Sequence, residues 1–166
     1  MNTSVKTLVK TGSSYLNIHD YEFDENCVRD VCDKLLEKPE IIVFGKICHQ
    51  NRSVGFFSDV SVGYKYSGRL MQSSPMTDNL RNLLRDINEK FETHFNGILV
   101  NRYEDGTDYI SAHSDDEKGI QVNDVVAISW GISRTFRIRN KSDRKIVANI
   151  PTESGHIIHM GGEFQR

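Results

Sequence analysis

Short apolar segments bounded by turn residues recur along the chain, and they restrict the fold more than any other feature of the sequence. Each is four to seven residues long and rich in β-branched or aromatic residues, which is typical of β-strands. The segments are Ile41–Phe44, Gly97–Tyr103, Val125–Trp130, Arg134–Arg139 and His156–Met160. Turn-forming residues close them, as Glu104-Asp105-Gly106 does after Tyr103. The second half of the chain is therefore predicted to be mostly strand.

Two helical patterns precede most of these strands. Asp24 is placed to cap the first helix, and Lys38-Pro39 ends it because proline disfavours helical geometry in the residue before it. Thr77 or Asp78 opens the second helix. The apolar stripes are Val28, Val31, Cys32, Leu35 and Leu36 in the first, and Leu80, Leu83, Leu84, Ile87 and Phe91 in the second. These patterns predict an α+β fold, a double-stranded β-helix (jelly-roll) barrel with the two helices of the N-terminal half packed outside it.

Length and composition limit the class of protein. A chain of 166 residues, 37% of them hydrophobic, suffices for one domain with its own core. We expect a flexible polar leader over residues 1–14 and a single domain over residues 15–166. The apolar runs are far shorter than the roughly 20 residues of a membrane-spanning helix, and no secretory signal opens the chain. We therefore expect a monomer of the cytoplasm or nucleus without a membrane partner.

The motif His113-Ser114-Asp115 is the strongest chemical feature of the sequence. In an extended chain, residues i and i+2 point to the same side, so the imidazole and the carboxylate share a face. They make two corners of a facial triad, which binds Fe(II) with two histidines and one carboxylate and leaves three positions open. Two open positions suit a bidentate 2-oxo acid, and the third suits dioxygen. A lone His-x-Asp pair is common in proteins without metals, so the surrounding motifs decide its meaning.

Several ordered motifs around this pair resemble those of the AlkB family of Fe(II)/2-oxoglutarate-dependent dioxygenases. They are Asn101-Arg102-Tyr103, His113-Ser114-Asp115-Asp116-Glu117, Ile128-Ser129-Trp130-Gly131 and Arg134-Thr135-Phe136. The segments similar to the substrate-facing lid of that family are Val43-Phe44-Gly45-Lys46, Phe57-Ser58-Asp59 and Tyr64-Lys65-Tyr66-Ser67-Gly68. Residues 155–165 are similar to the family's strand that precedes the second iron histidine. The resemblance runs from about residue 15 to the C-terminus.

The resemblance implies a role for each matching residue. His113 and Asp115 would bind Fe(II), while Asn101 and Tyr103 would hydrogen-bond 2-oxoglutarate. Glu117 would read an exocyclic amine of the target base. The lid, which would hold a flipped base by stacking and by charge, would contain Arg52, Phe57, Tyr64 and Tyr66, with Arg69 in the turn that carries it. Simpler roles stay open for these residues, such as a turn amide, strand aromatics and a solvated loop acid.

Part of the family pattern is expected outside this sequence. The second iron histidine and the arginine for the distal carboxylate of 2-oxoglutarate follow the last matched strand, so we expect both beyond Arg166. The closing strand of the barrel is expected there too. His156 and His159 come too early in their strand to replace that histidine, and we interpret them as ordinary strand residues. The chain is therefore expected to be a C-terminally truncated domain or a fragment of a longer protein.

The implied function is oxidative demethylation, or dealkylation repair, of N-alkylated bases in methylated DNA or RNA. The net charge of −2 is not the basic excess typical of proteins that grip a long duplex, which favours a single-stranded target and a local positive patch. The basic run from Arg134 to Lys145 could supply that patch or be an ordinary solvated face. Two alternatives stay open: a catalytically inactive nucleic-acid-binding barrel without the third iron ligand, and a 2-oxoglutarate oxygenase that acts on protein.

Overall fold

The computed structural model describes residues 5–22, 24–66, 69–115 and 124–166. Most of its regular elements are short strands. In chain order they are β1 (Val5–Thr11), β2 (Ser14–Asp20), α1 (Asn26–Arg29), β3 (Glu40–Val43), β4 (Lys46–His49), β5 (Ser53–Phe57), β6 (Gly63–Tyr66), β7 (Arg69–Gln72), α2 (Asp78–Phe91), β8 (Ile98–Arg102), β9 (Val125–Ile128), β10 (Arg134–Arg139), β11 (Ile146–Thr152) and β12 (His156–Gly161). One turn of 3-10 helix, Cys32–Lys34, follows α1.

Two compact units make up the chain, where the sequence predicted a single domain. The first unit combines Met1–Phe23 with Ala112–Arg166, and the second is the continuous segment Asp24–Ser111. The N-terminal strands therefore group with the C-terminal part of the chain. A unit assembled from distant segments leaves no local signal in the sequence. The pairing of β2 with β12, for example, joins residues more than 100 positions apart.

The first unit contains a four-stranded sheet in the order β1-β2-β12-β9 and a separate hairpin of β10 and β11. All of these strands pair in antiparallel fashion. The buried core residues of this unit are Leu16, Ile138, Ile150, Ile158 and Met160. Alternation along β12 puts Ile158 and Met160 on the core face of the sheet and His159 on the opposite face. His159 is itself buried on that opposite face.

The second unit pairs β5 with β8 and packs both helices against them. Its buried core residues are Cys27, Val31, Phe57, Met76, Leu80 and Val100. Thr77 caps α2 by accepting the Leu80 N–H at 3.2 Å, and Leu80 and Ile87 are buried on the inner face of the helix. The helix predicted to begin at Thr77 or Asp78 is therefore confirmed. The unit also contains two hairpins, β3 with β4 and β6 with β7.

The first predicted helix is wrong in its length. The pattern indicated a helix that Asp24 caps and Lys38-Pro39 ends, but α1 ends at Arg29 and a 3-10 turn follows it. Leu36 is instead extended and exchanges two backbone hydrogen bonds with Val54, at 2.9 and 3.0 Å. This strand-like pairing competes with helix continuation, and the β-branched and short polar residues before it favour a helix only weakly.

The predicted leader is also corrected where the structure describes it. Residues 5–14 form β1 and the start of β2, which pair across a turn at Gly12 with a φ of +58°. Polar residues obscured the strand in the sequence, because β1 lies at the edge of its sheet and carries pairs of lysine and threonine between valine and leucine. Edge strands commonly carry lysine, which discourages pairing with other chains.

A mostly-strand architecture with two helices agrees with the predicted fold class. Closure into a barrel and the absence of a last strand stay predictions. In the part of the chain that the structure describes, no helix combines the length and the apolar content needed to cross a membrane.

Candidate metal and base-binding sites

His113 and Asp115 lie side by side in the first unit. His113 Nε2 is 3.5 Å from Asp115 Oδ1, and the two side chains are 34% and 27% exposed, so solutes can reach them. Two ligand atoms that each lie about 2.1 Å from one metal ion are about 3.0–3.5 Å apart. The pair therefore has the separation that a shared divalent ion requires. The structure brings together the two groups that the sequence spacing placed on one face, and their binding of iron stays a prediction.

The backbone of Asp115 is held by a side chain from near the end of the chain. Asp115 lies in a loop outside the strands, and its N–H donates to Gln165 Oε1 at 3.0 Å. Gln165 belongs to the turn after β12, and its Nε2 contacts Met160 Sδ at 3.5 Å. Met160 is buried in the core of the first unit, so this contact ties the loop to the sheet.

A second carboxylate, Asp124, lies immediately before β9 and is held by the polar face of the same sheet. Its Oδ1 accepts from the Tyr15 hydroxyl at 3.1 Å and contacts His159 Nε2 at 3.1 Å. Burial, followed by the charge and hydrogen bond of Asp124, raises the pKa of Tyr15, which keeps the phenol protonated as a donor. A side chain at Gly161 would collide with the Tyr15 ring and the Asp124 carboxylate, so this cluster requires glycine there.

The histidines of β12 have partners other than the His113–Asp115 pair. His159 contacts Asp124, and His156 Nε2 is 3.5 Å from Asp20 Oδ1. Among the described residues, no group of three His, Cys, Asp or Glu side chains could hold a metal ion. The arrangement agrees with the interpretation of both histidines as strand residues, and the described residues place one imidazole and one carboxylate together at the candidate site.

In the second unit, β5 and β8 present two different faces. Phe57 and Val100 lie on the face that packs into the core. Asn101 lies on the opposite face, where its Oδ1 accepts from Arg52 Nε at 2.8 Å. This hydrogen bond orients the amide, so the group of Asn101 that can donate to a ligand is its amino group. A donor of this kind suits a carboxylate such as that of 2-oxoglutarate.

Aromatic side chains in the second unit form a stack that ends at a buried arginine. The rings of Tyr64 and Tyr66 are nearly parallel, with an interplanar angle of 17° and centroids 6.5 Å apart. Phe56 extends the stack, 5.8 Å from Tyr64, and the Arg52 guanidinium lies 5.4 Å from the centre of Tyr66. Because Arg52 is only 4% exposed, it supports the ring by a cation–π contact and offers little of its charge to solvent.

Phe57 does not belong to this stack, which corrects its predicted place in the lid. Its ring is fully buried in the core of the second unit. Side chains alternate along β5, so Phe57 points away from the face of Arg52, and Phe56 points toward it. Phe56 was not among the residues predicted for the lid. The even spacing of Arg52, Val54 and Phe56 is the signal that would have selected it.

Tyr103 opens a loop whose shape is fixed by the buried Asp108. Asp108 Oδ1 accepts from Lys38 Nζ at 2.9 Å, and its Oδ2 accepts the Glu104 N–H at 2.8 Å. The Lys38 hydrogen bond is the main cause that lowers the pKa of Asp108, and the same bond raises the pKa of Lys38. Tyr103 therefore stands at the start of a well-anchored turn, and its contact with 2-oxoglutarate stays a prediction.

The remaining lid residues divide between the described and undescribed parts of the chain. Arg69 opens β7 and forms an exposed ion pair with Glu40 of β3, at 3.2 Å. This pair links two hairpins, and a role of Arg69 in substrate binding stays a prediction. Ser67-Gly68 and Glu117 lie outside the described residues.

Comparison with known proteins identifies the family to which the chain belongs. The family model described as the 2OG-Fe(II) oxygenase superfamily matches residues 24–166. The chain belongs to this superfamily. It is 30% identical over 126 residues to the human protein named DNA oxidative demethylase ALKBH2, which covers 71% of the chain and 48% of that relative. It is likewise 30% identical over 123 residues to the Arabidopsis thaliana protein of the same name, covering 71% of the chain and 39% of the relative.

A differently named relative supports the same family. Mouse alpha-ketoglutarate-dependent dioxygenase alkB homolog 3 is 34% identical over 112 residues, covering 61% of the chain and 39% of the relative. Each of these matches spans about half or less of the curated relative.

The cofactors of a 2OG-Fe(II) oxygenase are Fe(II) and 2-oxoglutarate, and the chemistry of the residues present fits both. An imidazole nitrogen and a carboxylate oxygen, paired at 3.5 Å, are the donors that non-haem Fe(II) takes in a facial triad. The amino group of Asn101 and the phenol of Tyr103 are donors, as a dicarboxylate requires. Binding of these cofactors by His113, Asp115, Asn101 and Tyr103 stays a prediction.

Proposed function

We propose that this oxygenase removes N-alkyl groups from bases of DNA or RNA by oxidative demethylation. The observation that carries the proposal is the His113–Asp115 pair, two metal donors 3.5 Å apart in a chain of the 2OG-Fe(II) oxygenase superfamily. The relatives named as DNA oxidative demethylases support this reaction class. Fe(II), 2-oxoglutarate and dioxygen together supply the oxidising chemistry when they are bound.

The protein's own residues contribute position and shape to the reaction. His113 and Asp115 would supply two of the ligands of the metal ion, and a facial triad would leave three coordination positions open. Asn101, oriented by Arg52, would donate to 2-oxoglutarate, as would Tyr103. These contacts would orient the co-substrate, and a positioned reactant gains much of its rate from orientation alone.

The aromatic stack supports a nucleobase as the substrate. Rings of nucleobases stack on tyrosine, and each such contact contributes about 1–3 kcal/mol to binding without regard to sequence. Tyr64 and Tyr66 are partly exposed, so an incoming base can reach their rings. A base must leave its helix before an enzyme can act on its edge, and an aromatic platform stabilises it in the flipped position.

The β3–β4 hairpin supports contact with nucleic acid. Phe44 and Gly45 form its two-residue turn, with φ values of +49° and +76°, a combination found in type I′ hairpins. Phe44 is 100% exposed, with Ile42, Val43 and Ile47 also exposed beside it. Some nucleic-acid-binding proteins insert exposed apolar side chains of this kind between stacked bases.

The β10–β11 hairpin supplies the local positive charge that the proposal needs. Residues 134–145 contain six basic residues and one acidic residue, in a chain whose net charge is −2. The exposed basic residues of the segment are Arg137, Arg139, Lys141, Arg144 and Lys145. Phosphate groups are bound by such clusters with a strong dependence on salt. The cluster therefore supports nucleic acid as the class of substrate.

Formaldehyde release tests the proposal. The protein, supplied with Fe(II), 2-oxoglutarate and oxygen, is incubated with single-stranded DNA or RNA that contains N-methylated bases. We expect formaldehyde and unmethylated bases from at least one of the two, and none after His113→Ala. The matched control is His94→Ala, which removes an exposed histidine outside the candidate sites and should leave the rate unchanged. Turnover by His113→Ala would reject the site assignment.

A second candidate is a nucleic-acid-binding barrel without catalysis. The observation that favours it is that the described residues supply two metal donors and no group of three. This candidate predicts binding of methylated single strands that is indifferent to Fe(II) and Mn(II), without formaldehyde. Metal-dependent turnover would exclude it.

A further inference from the structure

Gln165 holds the main chain of the predicted metal ligand Asp115, and this contact affects where the Asp115 carboxylate lies. Residues 111–115 lie outside the strands, so no ladder of backbone hydrogen bonds fixes them. The Asp115 N–H instead donates to Gln165 Oε1 at 3.0 Å, across 50 positions of sequence. The position of the Asp115 carboxylate relative to His113 Nε2 follows from the position of this backbone.

The turn that carries Gln165 is itself fixed to the first unit. Phe164 packs against the core, and Glu163 accepts from Ser13 Oγ at 3.0 Å. The Gln165 amino group contacts Met160 Sδ at 3.5 Å, which sets the orientation of the amide. Its oxygen is therefore presented toward Asp115 by a rigid support, as a precise ligand site requires.

The amide is also the side chain whose charge suits this place. A neutral oxygen accepts the backbone N–H without adding a second negative charge beside the Asp115 carboxylate. A glutamate would accept equally well but would repel that carboxylate when no metal is bound. Aliphatic side chains of the same length would leave the Asp115 N–H without its acceptor.

We propose that Gln165 is a positioning residue, which holds the Asp115 backbone so that His113 and Asp115 keep the separation needed for one divalent ion. The proposal rests on the proposed function, because it takes Asp115 to be a metal ligand. Outer residues that orient metal ligands commonly change metal affinity about 10- to 100-fold when they are replaced.

Amide hydrogen exchange tests the contact without any metal. In the metal-free protein, the Asp115 N–H should exchange about threefold to tenfold faster in Gln165→Met than in the wild type, because methionine has the same length and no oxygen acceptor. Gln165→Glu should restore slow exchange. If methionine prevents folding, Gln165→Asn gives the same prediction, since its oxygen is one methylene short of Asp115. Unchanged exchange in the folded variant would overturn the proposal.

Mn(II) affinity, measured by electron paramagnetic resonance without 2-oxoglutarate, tests the consequence. We expect Gln165→Met to bind Mn(II) about 10- to 100-fold more weakly than the wild type. Tyr15→Phe is the control, because it removes a hydrogen bond from Asp124 and leaves Asp115 untouched; its affinity should match the wild type. Equal affinity in Gln165→Met would overturn the positioning role. A wild type that binds no Mn(II) would instead contradict the proposed function, and the exchange result would then stand by itself.

Discussion

The His113–Asp115 pair lies in a loop, whereas the aromatic stack is attached to paired strands, and different interactions fix the geometry of each. The backbone of Asp115 is held by the side chain of Gln165, from a distant part of the chain. In the stack, Phe56 lies within β5, and Tyr64 and Tyr66 lie two residues apart in β6, so strand alternation puts each set of rings on one face. Arg52 connects the stack to β8, because it lies against Tyr66 and donates a hydrogen bond to Asn101.

The two regions should therefore respond differently to single substitutions. Backbone ladders spread the geometry of a strand face over many hydrogen bonds, so one substitution removes one ring and little else. A loop held by a few side-chain contacts depends on each of them. We therefore expect substitutions near His113 and Asp115 to change metal binding sharply, and substitutions in the stack to change base affinity by the contribution of the ring that is lost.

The largest effect is expected from Asp115→Asn, which separates the two regions. Asparagine keeps the size of the side chain and the backbone contact with Gln165, but it removes the charged oxygen donor. Mn(II) affinity and formaldehyde release should both fall by more than about 100-fold. Binding to methylated single-stranded DNA, measured by fluorescence anisotropy, should stay within about twofold of the wild type. Full turnover in this variant would remove Asp115 from the metal site.

Phe57→Ala comes next in size and tests the boundary between core and stack. Because the ring is fully buried in the core, we expect the free energy of unfolding in urea to fall by about 3–5 kcal/mol. The matched variant Phe57→Leu keeps most of the volume and should leave base affinity unchanged. If Phe57→Leu weakens base binding while stability is retained, Phe57 belongs to the substrate lid after all.

Tyr66→Ala should have a smaller effect that is confined to the stack. Loss of one stacking ring should cost about 1–3 kcal/mol of binding free energy, so the affinity for a methylated single strand should fall about 5- to 150-fold. Tyr66→Phe keeps the ring and should bind almost as the wild type does. Mn(II) affinity should not change in either variant. A Tyr66→Ala protein with unchanged strand affinity would reduce the stack to a packing feature.

The same contrast explains what the sequence predicted. The five strand segments and α2 were predicted because their periodicity and capping are local, as the bond from Leu80 to Thr77 shows. The end of α1 depends on pairing between Leu36 and Val54, which no local pattern contains. The strand formed by residues 5–11 was missed because edge strands tolerate polar residues.

The candidate site divides in the same way. The His-x-Asp spacing was visible in the sequence, because both residues lie within three positions. The contacts of Gln165 with Asp115 and of Tyr15 with Asp124 span 50 and 109 positions, and no spacing rule reveals them. Side-chain alternation along β5 would have predicted Phe56, whereas the resemblance to the lid motif pointed to Phe57. Geometry held by strands is therefore readable from periodicity, whereas geometry held by distant side chains is not.

The smallest effect concerns Asp108, whose bonds to Lys38 and to the Glu104 N–H hold the loop after β8. Lys38 and the Glu104 N–H lower the pKa of Asp108 in the folded protein. A carboxylate with a lowered folded pKa stabilises the fold above its ordinary value near 3.9. That stabilisation is lost as the pH falls through the lowered pKa. Asp108→Asn should therefore be less stable than the wild type at pH 7, and the difference should shrink as the pH falls below about 4.

Urea unfolding midpoints between pH 7 and pH 3 measure this difference. Asp33→Asn, which removes an exposed carboxylate of the same unit, is the control, and its difference from the wild type should be smaller. The wild type and Asp108→Asn should also differ in the exchange of the Glu104 N–H, because asparagine accepts that bond more weakly than a carboxylate. If the difference in urea midpoint between the wild type and Asp108→Asn stays constant from pH 7 to pH 3, the Lys38–Asp108 pair does not fix the Tyr103 loop. The strand-based region would then depend on its backbone ladder alone.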